Sequence, residues 1–250
     1  MRPALIVLPA ALAVLPAHAE DTAVELDAGI SLMAVWHYTQ DGVYGGLEEE
    51  ADYIVPGPTF GLRLARDTQR PWLTVSAGVR AAWFSPTTTY LEGTTTFETG
   101  DGNVDVGHDH QTEMMFGLVT ADASAFLHAN PGPVRVGVVL GAGARVIDLQ
   151  RETVDVYFLP TTTERSEVAE HLLRVQPYLV LALRGTVDIR EDMYLGLDLG
   201  LDPAMSDLRL YGEFSQVEIV SNGQYSQSWE TKADLSAPIP RVGLVLGVAL

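Results

Sequence analysis

The stretch Val24-Glu-Leu-Asp-Ala-Gly-Ile-Ser-Leu-Met-Ala-Val-Trp-His37 repeats with a period of two. Its even positions read Val24, Leu26, Ala28, Ile30, Leu32, Ala34 and Trp36, while Glu25, Asp27, Gly29, Ser31 and His37 stand among the odd ones. Successive side chains of a strand point to opposite faces, so this is a β-strand with one apolar and one polar face. The pattern returns seven more times. It predicts strands at about Tyr53–Arg66, Trp72–Phe84, Glu113–Leu127, Val134–Leu149, Glu170–Val187, Met193–Asp202 and Pro238–Leu250. In the fourth strand, Phe116 and Leu118 share a face with Asp122 and Ser124.

The connections alternate in length. Short ones with turn residues run from Asp67 to Pro71, His128 to Pro133 and Asp188 to Asp192. Long ones run from Tyr38 to Asp52, Ser85 to Thr112, Gln150 to Ala169 and Pro203 to Ala237. An up-and-down chain then places all short turns at one end and all long loops at the other, the signature of a transmembrane β-barrel. The expected fold is all-β, an antiparallel up-and-down barrel of eight strands. Within the last long loop, Leu208–Val220 and Gln224–Leu235 flank the hairpin signal Asn222-Gly223 and are expected to extend strands above the membrane. Counting them as spanning gives the alternative of ten strands.

Composition narrows the classes. A formal net charge of -18 from 33 acidic and 15 basic residues argues against nucleic acid as a partner. With no cysteine, disulfides, thiol nucleophiles and thiolate metal sites are excluded. Arg2, the apolar run Ala4–Leu15 and Ala17-His18-Ala19 form an export signal, so residues 1–19 are expected to be cleaved and the barrel to comprise residues 20–250. By predicted segment, the four long loops hold 19 acidic and 4 basic residues, whereas the eight strands hold 8 of each. The acidity belongs to the loops, and the embedded part is balanced.

Alternation does not by itself say which face meets lipid, and a soluble lipocalin-type barrel is the rival. The polar face is crowded with glycines, among them Gly29, Gly61, Gly78, Gly141, Gly200 and Gly243, where a solvated exterior would carry Lys, Glu and Thr. Small residues interspersed with arginine suit the lumen of an eight-stranded barrel, which side chains just fill. Glu25, Asp27, Arg63, Arg80, Asp122, Arg135, Arg145, Arg174, Arg184, Asp198 and Arg241 all fall on it and are expected to form a lumen ion-pair network that blocks conduction. Trp36 and Trp83 end their strands on the apolar face, as an aromatic girdle would.

On these residues the sequence resembles the small outer-membrane β-barrels of Gram-negative bacteria, typified by the OmpA membrane domain, OmpX and OmpW. Arg241-x-Gly243-x-x-Leu246-x-Val248 is similar to the C-terminal assembly signal of that class, although the chain ends in Leu250 where an aromatic residue is usual. The resemblance implies residence in the cell outer membrane, with lipid, lipopolysaccharide and the barrel-assembly machinery as partners.

Candidate chemistry is sparse. Asp101, Asn103, Asp105 and Asp109, with His108 and His110, could hold Ca²⁺ weakly, but Val106 stands where an EF-hand loop needs Gly and Thr112 where it needs Glu. Lipid A deacylases in barrels of this kind need a His and a Ser two apart on one strand face. None of His37, His108, His110, His128 or His171 is followed by Ser at that spacing. The expected role is therefore non-enzymatic: structural, adhesive toward a surface protein partner, or surface cation binding, with no cofactor. The alternative is OmpW-like transport of small hydrophobic molecules or a narrow pore, hinted at by inward Phe116 and Leu118.

Overall fold

In a computed structural model, residues 22–41, 48–99, 102–158, 163–206, 209–220, 223–234 and 237–250 are described. The export signal and Asp101 lie outside them, as does Asn222. The chain forms β1 (Thr22–Asp41), β2 (Glu48–Asp67), β3 (Leu73–Thr99), β4 (Gly102–Ala129), β5 (Val134–Phe158), β6 (Thr163–Arg190), β7 (Met193–Asp202), β8 (Arg209–Val220), β9 (Gly223–Asp234) and β10 (Ile239–Ala249). All ladders are antiparallel.

Strands β1 to β7 and β10 close into an eight-stranded barrel through the β1–β10 ladder, from Ala23–Ala249 to Ser31–Arg241. The ten-strand alternative fails on topology. β9 pairs only with the upper part of β1, from Trp36–Asp234 to Asp41–Trp229, and β8 pairs with β9. Thus β7 with β8, and β9 with β10, are lower and upper halves of two strands that break at the same height, where Pro203, Pro238 and Pro240 stand. Proline has no N–H to give to a ladder, so a strand is interrupted or bent where prolines cluster.

Side-chain parity obeys the sequence pattern. On β5 the outward series runs from Val136 to Val146 and meets Asp148 above. Ten residues span about 33 Å of strand, or about 25 Å at a ~40° tilt, the height of a hydrocarbon belt. Around the barrel this face is apolar and exposed: Ile30, Phe60, Val119, Leu183, Leu199 and Leu244 all point outward. Trp83, 57% exposed, sits level with Asp148 at the upper border, since Trp83 pairs Gly117 and Gly117 pairs Asp148. The side chain of Trp36 lies outside the described residues. An exterior of exposed Leu, Val and Ile around a charged interior inverts the soluble lipocalin arrangement. It is the architecture of integral outer-membrane proteins.

The expectation of long loops is corrected. Most of each predicted loop is ladder: β3 and β4 pair on to Thr99–Gly102, β5 and β6 to Phe158–Thr163, and β1 and β2 to Gln40–Glu48. Above the belt these ladders do not close a barrel among the described residues. The β2–β3 ladder stops at Thr59–Ala82, below Pro58 and Pro56, and the last bridge between β6 and the chain after β7 is Tyr178–Ala204. The wall therefore divides into two four-stranded blades, β8–β9–β1–β2 and β3–β4–β5–β6.

The short turns join β2 to β3, β4 to β5 and β6 to β7 at the opposite end, where Leu250 N–H also bonds Thr22 C=O. Gly132 in the β4–β5 turn has φ +73°, a conformation that glycine adopts without strain.

Candidate functional site

The lumen is filled in layers. Lowest is a chain of ion pairs strung across seven strands. Arg184 from β6 makes a two-pronged contact with Asp198 on the adjacent β7, Nε to Oδ1 at 2.6 Å and Nη2 to Oδ2 at 2.8 Å. Its third nitrogen crosses the lumen to Glu25 of β1 at 2.9 Å, and the Tyr194 hydroxyl donates to the same carboxylate at 2.6 Å. Arg241 joins Asp198 at 3.4 Å to Asp202 at 3.3 Å. Arg80 carries the chain on, reaching Asp202 at 3.2 Å, Asp27 at 3.3 Å and Asp122 at 3.6 Å. Arg63 and the Tyr178 hydroxyl close it, each 2.9 Å from Asp122.

Four arginines and five carboxylates are thus buried together. Charges this far from water persist only when paired and hydrogen-bonded, and the planar fork of arginine satisfies two carboxylates at once. Room for them comes from glycine. Arg63 stands opposite Gly78, Arg80 opposite Gly61, Arg184 opposite Gly137 and Arg241 opposite Gly200.

Of the expected lumen set, eight residues meet here: Glu25, Asp27, Arg63, Arg80, Asp122, Arg184, Asp198 and Arg241. Three stand elsewhere. Arg145 lies higher, giving Nε to Gln176 Oε1 at 2.6 Å with its guanidinium 6.0 Å from the Tyr178 ring. Arg135 is at the lower mouth between Asp67 and Asp188, and Arg174 is exposed at the upper border of the belt, where it pairs with Ile147. Asp202, Tyr178, Tyr194 and Gln176 join the lumen contacts from outside the expected ion-pair set, Gln176 and Tyr178 from the polar face of β6. Asp202 shares the even face of β7 with Asp198, so parity alone could have found it.

Above the ion pairs lies an apolar layer. Met33, Val35, Val55, Ala82, Phe84, Met114, Phe116, Leu118, Ile147, Leu149 and Ile239 pack together inside the barrel, with Tyr53 and Leu172 at its margin. Phe116 and Leu118, which interrupted the polar face of β4, belong to this layer. Higher still, Thr87, Thr89, Thr112 and Thr153 are buried between the β3–β6 strands. Gln176 Nε2 donates to Ser206 C=O at 2.6 Å, tying β6 to the chain where β7 has ended.

The candidate metal residues are not brought together into a loop. Asn103, Asp105 and Asp109 lie in the extended β3–β4 ladder, where residues two apart are separated by about 7 Å. His171 faces outward at the belt border, 2.6 Å from Asp148. The expected assembly-signal residues Arg241, Gly243, Leu246 and Val248 lie in β10, the strand that closes the barrel.

No protein-family model matches the chain, and no curated protein matches it in sequence. Among solved structures it is similar to Neisserial surface protein A (NspA), at 9% identity over 92% of this chain and 97% of that one, with a TM-score of 0.39. It is also similar to the outer membrane protein OprG from Pseudomonas aeruginosa, at 9% identity over 93% and 98%, TM-score 0.40. A major outer membrane protein from Thermus thermophilus is similar at 14% identity over 88% and 98%, TM-score 0.36.

Proposed function

We propose that the chain is a sealed, non-enzymatic outer-membrane anchor that holds an acidic β-sheet crown at the cell surface and acts there in adhesion. The observation that carries this reading is the contrast along the axis: two filled layers below, two blades with free edges above. An ion-pair layer and an apolar layer lie in series across the lumen, which argues against a pore. The upper edges of β6 and of β2 have no ladder partner on one side among the described residues. Unpaired N–H and C=O groups on a strand edge accept an extended segment of another chain. Because the crown is acidic, the fitting partner is a surface protein with a basic extended segment, and Ca²⁺ or Mg²⁺ would gather there as counter-ions.

Replacing residues 38–52 and 150–169 by short turns tests this, because those segments carry upper parts of the β2 and β6 edges and lie above the β1–β10 ladder that closes the barrel. Adhesion of cells to a basic peptide-coated surface should fall while the variant keeps its unheated-versus-heated gel shift. Unchanged adhesion with an intact gel shift would overturn the proposal.

A second reading has one observation in its favour. The apolar layer begins where the wall between β6 and β8 is unclosed, which suits entry of small hydrophobic molecules from the side. Uptake of such a compound by liposomes carrying the protein would favour it over adhesion.

A further inference from the structure

Three guanidinium nitrogens of the ion-pair layer have no hydrogen-bond partner among the described residues: Arg63 Nη1, Arg80 Nη2 and Arg241 Nη2. Their residues are 3%, 6% and 5% exposed, so bulk solvent does not serve them. All three belong to one run of contacts. Arg63 and Arg80 meet at Asp122, and Arg80 and Arg241 meet at Asp202. Arg184, in the same layer, is different: its Nε, Nη1 and Nη2 each bond a carboxylate, at 2.6, 2.9 and 2.8 Å.

A guanidinium keeps its protons and only donates, so each of the three atoms calls for an acceptor. A buried donor without one is costly. The run is also loose where these atoms lie. Arg80 Nη2 stands 3.6 Å from the Asp122 carboxylate, and a polar contact stretched past about 3.5 Å is the usual setting of a bridging molecule. Arg241 reaches Asp198 only at 3.4 Å and Asp202 at 3.3 Å.

Charge decides the class of that molecule. Four arginines of the layer, with Arg145 above it, match the five carboxylates Glu25, Asp27, Asp122, Asp198 and Asp202. An anion would tip that balance, and a metal cation would face N–H donors. A small neutral hydroxyl compound fits both sides: its oxygen accepts from guanidinium, and its O–H groups donate to carboxylate lone pairs. Water is the one small enough for a closely packed interior, where it typically takes about three such bonds.

We infer that the ion-pair layer binds water on its Arg63–Arg80–Arg241 side, bridging guanidinium to carboxylate, and is dry between Arg184 and its partners. The layer is thus a hydrated seal. Its water is held by fixed charges and leads no further upward, because the apolar layer around Met114 and Phe116 lies above it.

Crystals of the full chain grown from detergent and soaked in bromide test this. Ordered density is expected within hydrogen-bond distance of Arg63 Nη1, Arg80 Nη2 and Arg241 Nη2, without anomalous signal, and none between Arg184 and its two carboxylates. Bromide signal at those nitrogens would make this an anion site and overturn the inference, as would the absence of density at all three. Magnetisation transfer from water to labelled arginine side chains, measured by solid-state NMR in lipid bilayers, gives a second readout. Arg80 should receive it several-fold faster than Arg184, the two signals being assigned with Arg80→Lys and Arg184→Lys variants that keep their gel shift. Equal rates at the two arginines would also overturn it.

Discussion

Arg241 and Gly200 face each other directly in the β7–β10 ladder, and the guanidinium lies in the space a side chain at position 200 would need. A Cβ there would stand 2.6 Å from Arg241 Nε. The same relation holds for Gly78, whose Cβ would stand 2.3 Å from Arg63 Cγ, and for Gly61, 2.9 Å from an Asp27 carboxylate oxygen. Glycine on the inward face leaves the room into which each charged side chain folds. Gly200→Ala should therefore cost about 1–3 kcal/mol, as overpacking does. Urea unfolding in lipid vesicles measures it. The control is Gly185→Ala on the outward face, which meets nothing within 4 Å and should unfold like the wild type.

Arg184 of β6 holds two carboxylates from two other strands, Asp198 of β7 and Glu25 of β1. Arg184→Ala leaves Glu25 and Asp198 buried without it and should destabilise by about 3–5 kcal/mol. Arg184→Lys keeps the charge but loses the fork and should fall between alanine and wild type. The same urea titration ranks the three.

Val119 and Leu118 are sequence neighbours with opposite fates, one outward to lipid and one inward to the apolar layer. Leu140→Arg, midway along the outward series of β5, places a charge in the belt and should cost about 2–4 kcal/mol near the bilayer midplane. In detergent micelles, where the head group can reach water more easily, the loss should shrink. Comparing unfolding in vesicles and in micelles checks this.

Sealing by two layers predicts a non-additive result in planar bilayers. Wild type should be silent, and so should Arg80→Ala with Arg184→Ala, because the apolar layer remains. Adding Met114→Ala and Phe116→Ala should open small steps. Conductance from the arginine pair alone would show that the ion pairs were the sole barrier.

How much of this could be read from the sequence follows from what parity encodes. Period two assigns each residue to a face, so the lipid side, the lumen set and the closing strand were legible from Val24 onward. Parity carries no depth. Arg135 and Arg174 share the inward parity of their strands with Arg184, yet one sits at the lower mouth and the other at the upper border of the belt, because their heights depend on the stagger between strands. The crown was illegible for a different reason. In Thr87–Thr99 both faces are polar, so alternation vanishes although the ladder continues. Prolines 56 and 58 signal an unpaired edge, but only once it is known which neighbour that edge would have had.

The parting of the wall at Thr59–Ala82 and at Tyr178–Ala204 has a bearing on how such a protein changes over generations. In a tall closed barrel, lengthening one strand shifts every neighbour around the ring. Here a longer β3–β4 hairpin alters only its own blade, since no ladder carries the strain to β1, β2, β8 or β9. The exposed tips can thus diverge or accept grafted sequence independently, while the lumen beneath keeps its pairing of arginine with glycine.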